Sequence, residues 1–326
     1  MMIMNRPDPS VAVRALKSAA PYIRMYKGKI FVIKAGGAVF ADEASTRGLI
    51  EQVAILHQVG IKVVLIHGGG PQLDEMQRKL GIEPRMVDGR RVTDVKSIEV
   101  TAMVLNGLIN TRILGICREL NIEAVGISGV DASLIRAHKR PPVALPNGAA
   151  GSAGVAVAAG AAVDYGFVGD IDAVNTTVIE KLLDSGLMPV VSPLSADAGG
   201  ILLNINADTV AAAIGGALAA EKLVLCTGAP GILERADDAT SVISYTDVKG
   251  LRGLRDQGSL GGGMLPKAAA IENAIRGGVR RVHVITYKSP DSLLAEVFTN
   301  EGTGTLVVAD LNALSAAEQF SAESVT

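Results

Sequence analysis

Residues 63–72 read Val63-Val64-Leu65-Ile66-His67-Gly68-Gly69-Gly70-Pro71-Gln72. Four apolar residues followed by His67 make a strand buried on both faces, and three glycines then turn the chain. Pro71 suits the first position of a helix, so Gln72–Leu80 is expected to be helical. Just upstream the pattern occurs again. Lys29–Lys34 (KIFVIK) is a short strand running into Gly36-Gly37, and Ser45–Val59 has helical periodicity before a Gly60 stop. Two successive strand–turn–helix units place glycines at strand C-termini.

Working outward, the alternation continues. Ser97–Leu120 reads as one long or broken helix, Glu123–Ser128 as a strand, Val178–Ser185 as a helix and Met188–Ser192 as a strand. After a strand expected at Ile201–Leu203, Ala207–Ala220 is an alanine-rich helix, Lys222–Cys226 a strand, Pro266–Arg276 a helix and Val282–Ile285 a last buried strand. This βαβα order predicts an α/β fold whose mostly parallel central sheet is covered on both faces. Upstream of it, residues 11–24 place Val11, Ala15, Ala19 and Ile23 on one helical stripe that needs a partner. The composition shift near Asp197 predicts two lobes, residues 28–197 and 198–308, with a helical extension at 1–27 and a flexible tail at 309–326.

The chain has 326 residues, 48% of them hydrophobic, enough for one large core or two modest ones. Its 31 basic and 33 acidic residues leave a formal charge of -2 without runs of one sign, so neither a nucleic-acid footprint nor a polybasic membrane patch is visible. The ligand is expected to be small. Cys117 and Cys226 both lie in apolar stretches, which suits reduced core thiols of a cytoplasmic protein and no metal site. The opening MMIMNRPDPS lacks the pattern of a secretory signal. Residues 141–163 carry no charge, but their Ala, Gly and Pro cannot drive a spanning helix and predict a flexible surface insertion.

The glycine turns carry the first chemical signal. Without Cβ atoms, backbone N–H groups can approach an anion, and the following helix adds its positive end. Gly261-Gly262-Gly263 before another helix repeats the arrangement. Neither G-x-x-x-x-G-K-[ST] nor a strand-following G-x-G-x-x-G occurs, so a different phosphate-binding design is expected. His67-Gly68-Gly69-Gly70 as an esterase oxyanion turn would need a G-x-S-x-G elbow, and the sequence has none. Lys34 ends a buried strand and Lys267 opens a helix, positions from which cations can face a transferring phosphoryl group. A carboxylate acceptor is already ionised, so no catalytic histidine is required. Asn206 reads as an N-cap, and Arg91 as either a surface charge or a fork for a carboxylate.

Taken together, KAGG (34–37), HGGGPQ (67–72), GRRVTD (89–94), GISGVDASLIRA (126–137), GFVGDIDAVN (166–175), NINAD (204–208), PGIL (230–233), GGMLPK (262–267) and GTGTLV (302–307) resemble the amino acid kinase family, over about Tyr22–Val308. Within it they are most similar to the members that make an acyl phosphate from ATP and the γ-carboxylate of N-acetyl-L-glutamate, in arginine biosynthesis. The resemblance implies a three-layer sandwich with a substrate lobe and a nucleotide lobe. It implies that Lys34 and Lys267 stabilise the phosphoryl group, that Asp208 orients both, and that Gly36, Gly37, Gly69 and Gly70 donate N–H groups. Arg91 and Asn204 match positions that bind the acceptor's carboxylate and amide. Thr227, Gly228, Pro230, Gly231 and Gly263 would face ATP, with Mg²⁺ bridging its phosphates. His283, Glu296 and Gly302 match an arginine effector site, and the N-terminal helix matches an element joining dimers into a hexamer, which implies a homo-oligomer.

The chain departs from the family pattern in places. Gly228 stands where an acid is usual, Val130 where a lysine is, and Thr286-Tyr287-Lys288 where Asp-Gly-Arg is. A related acceptor, such as N-acetylaminoadipate or N-succinylglutamate, and a non-catalytic arginine-binding subunit remain open on these residues.

Overall fold

The computed structural model describes residues 9–145, 149–150, 156–300 and 302–313. Its central sheet has eight strands: β1 (Ile30–Ala35), β2 (Lys62–His67), β3 (Ala124–Ser128), β4 (Met188–Ser192), β5 (Lys222–Thr227), β6 (Tyr245–Asp247), β7 (Arg281–Thr286) and β8 (Thr305–Val308), in the order β6-β8-β7-β5-β1-β2-β4-β3. Every neighbouring pair is parallel except β7 with β8.

The strand period of two divides this sheet between two cores. On β1, Val32 belongs to one cluster with Val64, Leu223 and Leu225, while Phe31 and Ile33 belong to the other with Val63, Leu65 and Val224. Helices cover both faces. α2 (Glu43–Gln58), α3 (Gly70–Lys79), α4 (Val95–Glu119) and α9 (Ser292–Phe298) pack on the Phe31 side. α5 (Thr177–Asp184), α6 (Ala207–Ala217), α7 (Val248–Asp256) and α8 (Met264–Arg276) pack on the Val32 side. The three-layer α/β reading of the sequence therefore holds. Strands from before and after Asp197 lie side by side in one sheet, β1 between β5 and β2.

α4 is long and apolar, but Val104, Leu105, Ile109 and Ile113 are used in the core. Its middle, Met103–Asn110, winds as a π-helix, a local widening that often marks functional sites. A second sheet of four short strands (Gly169–Val174, Ile135–Lys139, Leu194–Ala196, Leu202–Asn204) flanks the C-terminal end of β1 and β2. A hairpin, Arg85–Val87 with Arg90–Val92, packs there through a satellite core of Val87, Leu145, Tyr165 and Val168. The described parts of the 141–163 insertion form two short antiparallel ladders, Val143–Ala144 with Ala162–Val163 and Ala149–Ala150 with Ala156–Val157. The rest of that expected flexible stretch, and 314–326 of the expected tail, lie outside the described residues.

The expected N-terminal helix, α1, spans Pro9–Tyr26. Only its last turns are covered: Tyr26 is buried beside Phe31, whereas Val11 is 52% and Leu16 66% exposed. Among the described residues nothing covers the start of the predicted stripe.

Candidate active site

The β1–α2–β2 crossover runs through the Phe31 side, while α6 leads into β5 through the Val32 side. Helices leaving on opposite faces open a crevice at the C-terminal end of β1, the place where open α/β sheets bind ligands. A cavity of about 360 Å³ lies there, lined by Lys34, Gly36, Gly37, Gly69, Gly70, Arg91 and Asn204, among others. The sequence-predicted phosphate and acceptor residues are thus brought to one place.

The glycine turns are locked to each other. Gln72 Nε2 donates to the Gly37 carbonyl at 2.7 Å, and Gly68 N–H donates to Ala35 O at 2.8 Å. A Cβ on Gly37 would lie 2.8 Å from Pro71 Cδ and 2.9 Å from Gly69 Cα, so only glycine permits this approach. A Cβ on Gly69 would meet Leu105 and Ile109 from the π-helical part of α4 at 2.6 Å. The N-terminus of α3 begins at this point, and its free N–H groups carry partial positive charge.

Lys34 continues the Ile30, Val32 series on β1, so it faces the Val32 side, where α6 and α8 begin. Asn206 caps α6 by accepting from the N–H groups of Asp208 and Thr209 at 2.8 and 3.2 Å. That cap fixes Asp208 in the first turn. Its carboxylate bridges two ammonium groups, Lys34 Nζ at 2.7 Å and Lys267 Nζ, from the first turn of α8, at 3.0 Å. All three side chains are about nine-tenths buried. Burial alone would raise the Asp208 pKa, but the two lysine charges outweigh it and hold the carboxyl below its ordinary value. Burial, then the charge of Lys34, lowers the pKa of Lys267 against the pull of Asp208.

Arg91 is aimed by α3: Nη1 lies 2.6 Å from Asp74 Oδ1 and donates to Gln77 Oε1 at 2.9 Å. Asn204 is tied to the residue that follows the hairpin by a weak bond from Nδ2 to Thr93 Oγ1 at 3.4 Å. Ahead of the turn, His67 is wholly buried, and burial pushes its pKa down to about 4, so it is neutral and structural. Both cysteines are buried, with pKa values pushed up to about 12 by burial, as expected of core thiols.

Thr227, Gly228, Pro230, Gly231 and Gly263 do not line this cavity. Thr227 ends β5, the strand beside β1, while Gly231 is packed under Thr305, whose Oγ1 would lie 2.7 Å from a Cβ there. Gly263 sits at the start of α8, in the helix that carries Lys267.

His283, Glu296 and Gly302 come together on the opposite face of the sheet from the catalytic candidates. His283 Nδ1–H donates to Glu296, whose other oxygen accepts from Thr303 N–H. Sequence reasoning missed Lys222, whose Nζ donates to His283 Nε2 at 3.0 Å and lies 5.0 Å from the Tyr26 ring centre at the end of α1. A lysine opening a strand looks like a surface charge, and only the register of β5 with β7 reveals its burial. Arg90 and Arg140, which also line the cavity, were missed as well: Arg140 is brought there by its pairing with Val168, and the exposed Arg90 looks like any surface charge.

An open α/β sheet with glycine turns at strand ends and two lysines on one carboxylate is the framework of an ATP-using phosphotransferase. The chain belongs to the amino acid kinase family, whose family model matches residues 29–286. It is 43% identical over 302 residues to an acetylglutamate kinase of Myxococcus xanthus (strain DK1622), covering 93% of this chain and 95% of that one. A second acetylglutamate kinase, from Archaeoglobus fulgidus, is 40% identical over 90% of this chain and 98% of its own length. Among solved structures, N-acetylglutamate synthase from Neisseria gonorrhoeae, complexed with coenzyme A and N-acetyl-glutamate, superposes with a TM-score of 0.76 at 26% identity. That match takes in 91% of this chain, which spans 63% of the synthase chain. Carbamate kinase from Giardia lamblia, at 16% identity and a TM-score of 0.58 over 87% of this chain and 99% of that one, shares the fold.

Proposed function

We propose that this chain phosphorylates the γ-carboxylate of N-acetyl-L-glutamate with ATP, the step of arginine biosynthesis that makes an acyl phosphate. The observation that carries the reading is the Asp208 carboxylate holding Lys34 and Lys267 together at the edge of a glycine-lined cavity that also contains Arg91 and Asn204. The identity to acetylglutamate kinases over nearly their whole length supports the acceptor.

In this reading the γ-carboxylate oxygen attacks the γ-phosphorus, the bond to the β-phosphate oxygen breaks, and ADP leaves. No proton moves, so no general base is needed. Lys34 and Lys267 meet the charge that spreads over the transferring group, and Asp208 fixes their positions before the reaction begins. The amides of Gly36, Gly37, Gly69 and Gly70 are held at the cavity wall by the Gln72 cross-link and donate to the same oxygens. Arg91 forks onto the α-carboxylate and Asn204 onto the amide. Asp208 is committed to two lysines, and among the described residues no group of three His, Cys, Asp or Glu could hold a metal ion. Mg²⁺ would arrive on the nucleotide, neutralising its phosphates.

We assign residues 28–197 chiefly to the acceptor and 198–308 to the nucleotide, with Thr227, Gly228, Pro230, Gly231 and Gly263 nearest ATP. The His283–Glu296–Gly302 cluster is assigned to arginine as an effector in a cytoplasmic homo-oligomer, a dimer or a hexamer joined by α1. The uncovered apolar start of α1 supports that assembly. Hydroxylamine trapping tests the reaction: with ATP, Mg²⁺ and N-acetyl-L-glutamate a hydroxamate should accumulate. Its absence with this and every related acylated amino acid would favour a non-catalytic, arginine-binding role.

A further inference from the structure

Two places where the chain departs from the family pattern meet in space. Gly228 follows β5 and Lys288 follows β7, and Thr227 and Thr286 are register partners at the ends of those strands. The Tyr287 N–H donates to Thr227 O at 3.0 Å, which ties the two turns together. Each turn is also fixed by its own threonine: Thr227 Oγ1 accepts from Ala229 N–H at 3.1 Å, and Thr286 Oγ1 from Lys288 N–H at 3.2 Å. The Lys288 side chain lies back over Gly228, so that a Cβ there would stand 3.7 Å from Lys288 Cε and 3.9 Å from Nζ. Among the described residues that ammonium has no ion-pair or hydrogen-bond partner.

The backbone does not ask for glycine at 228. Its φ is outside the left-handed region, and an added Cβ would make only ordinary contacts. What glycine leaves out is a side chain beneath the ammonium; an acid there would sit within ion-pair reach of Nζ and neutralise it. The place of the two turns in the sheet indicates what the free charge faces. Ala35 is level with Cys226, so Gly228 and Lys288 follow at the same edge of the sheet as Gly36-Gly37, one and two strands from Lys34 or about 5 and 10 Å. The acceptor cavity lies on the other side of β1, toward β2 and the four-stranded sheet. In an in-line displacement the leaving oxygen departs opposite the attacking one, so the nucleotide extends from Lys34 toward β5 and β7. Lys34 and Lys267 meet the transferring group, and the phosphates that stay on the nucleotide need positive charge beyond it.

We propose that Lys288 is a nucleotide-binding residue: its ammonium, left unpaired by Gly228, meets the phosphates that remain on the nucleotide after transfer. Gly228 and Lys288 together then set nucleotide affinity without touching the transferred group, and the chemical step is left to Lys34, Lys267 and the glycine turns. This rests on the orientation proposed above, with the acceptor in the glycine-lined cavity.

The test is calorimetric titration of the full chain with ADP in the presence of Mg²⁺, which needs no turnover, alongside KM for ATP. Lys288→Gln should weaken ADP binding about tenfold, the value of one charge-assisted contact, and raise KM for ATP by a similar factor with kcat little changed. Lys288→Arg keeps the charge and should bind ADP within about threefold of the natural chain. Gly228→Asp should lose at least as much as Lys288→Gln, because its carboxylate pairs with the ammonium and repels the phosphates. Thermal melts of the three variants should match the natural chain, since Lys288 is exposed and a Cβ at 228 has room. An ADP affinity that Lys288→Gln leaves within about twofold overturns the proposal. So does an equal loss in the Gln and Arg variants, which marks a packing role, or a kcat that falls at unchanged KM, which puts Lys288 on the transferred group. A natural chain that does not bind ADP removes the nucleotide reading itself. ADP binding without turnover of N-acetyl-L-glutamate removes the acceptor reading instead, and the titration still decides for or against Lys288.

Discussion

Replacing Asp208 by Asn keeps the shape of the carboxylate and removes its charge from between two ammonium groups. Those contacts are 2.7 and 3.0 Å, and at an effective dielectric of about 20 each such attraction is worth roughly 5 kcal/mol before desolvation is counted. Breaking a buried pair by removing one partner costs about 3–5 kcal/mol in practice, because the surviving charge is left uncompensated. Here two charges survive and repel each other. The chain can relieve this by releasing one proton, and Lys267, whose pKa is already lowered, is the group to release it. The variant should therefore melt on the order of 10 °C lower, from about 2–4 °C per kcal/mol for large domains. Its kcat should fall by about two to three orders of magnitude, as when one preorganised donor is lost from a developing oxyanion. The sign of the pH effect follows: a lysine pKa lowered further loses its charge earlier as pH rises, so the basic limb of the rate profile moves to lower pH. Differential scanning fluorimetry and kcat profiles read both quantities. A variant with an unchanged melting temperature and kcat within about twofold of the natural chain would refute the bridging role.

Other substitutions probe the neighbouring parts. Gly37→Ala inserts a methyl 2.9 Å from Gly69 Cα and must push the two turns apart, so kcat/KM should drop about a hundredfold while circular dichroism shows a retained fold. Arg91→Lys keeps the charge but loses the fork; KM for the acceptor should rise about tenfold with kcat little changed, and an unchanged KM would remove Arg91 from the α-carboxylate. Burial, then the charge of Lys222, pushes the His283 pKa down to about 4 against the pull of Glu296. Unfolded His283 therefore takes up a proton between about pH 6.5 and 4 that the folded state refuses, and stability is lost as pH falls through that window. Glu296, held at about 2 by His283, Thr303 and Lys222 despite its burial, loses further stability between about pH 4.5 and 2. Urea midpoints should fall from pH 7 to pH 4.5, and His283→Gln should flatten the slope; a midpoint that rises on acidification contradicts the assignment.

The architecture was legible because both faces of the sheet are buried, which writes β1, β2, β4, β5 and β7 as continuous apolar runs. Each is found within a residue or two of its expected place. The antiparallel β8 and most strands of the smaller sheets were not legible, since three-residue strands such as Leu194–Ala196 have too few positions to show a period; of the four-stranded sheet only Leu202–Asn204 was expected, at Ile201–Leu203. The π-helical stretch of α4 was also hidden: Met103–Asn110 has helical periodicity either way, and its close contact with Gly69 is made only in the folded chain. At the site, glycine turns and strand-end lysines announced anion chemistry by their local order. Arg140, by contrast, acquires its position from pairing with Val168, and Lys222 from the register of β5 with β7. Tertiary contacts of that kind leave no local trace.

The most direct test follows the oxygen atoms. When N-acetyl-L-glutamate labelled with ¹⁸O in its γ-carboxylate reacts with ATP and the acyl phosphate is cleaved by hydroxylamine at its carbonyl carbon, the released phosphate should carry one labelled oxygen, visible as an isotope shift in ³¹P NMR. Unlabelled phosphate would show that water, and not the carboxylate, took the phosphoryl group at the Lys34–Asp208–Lys267 centre.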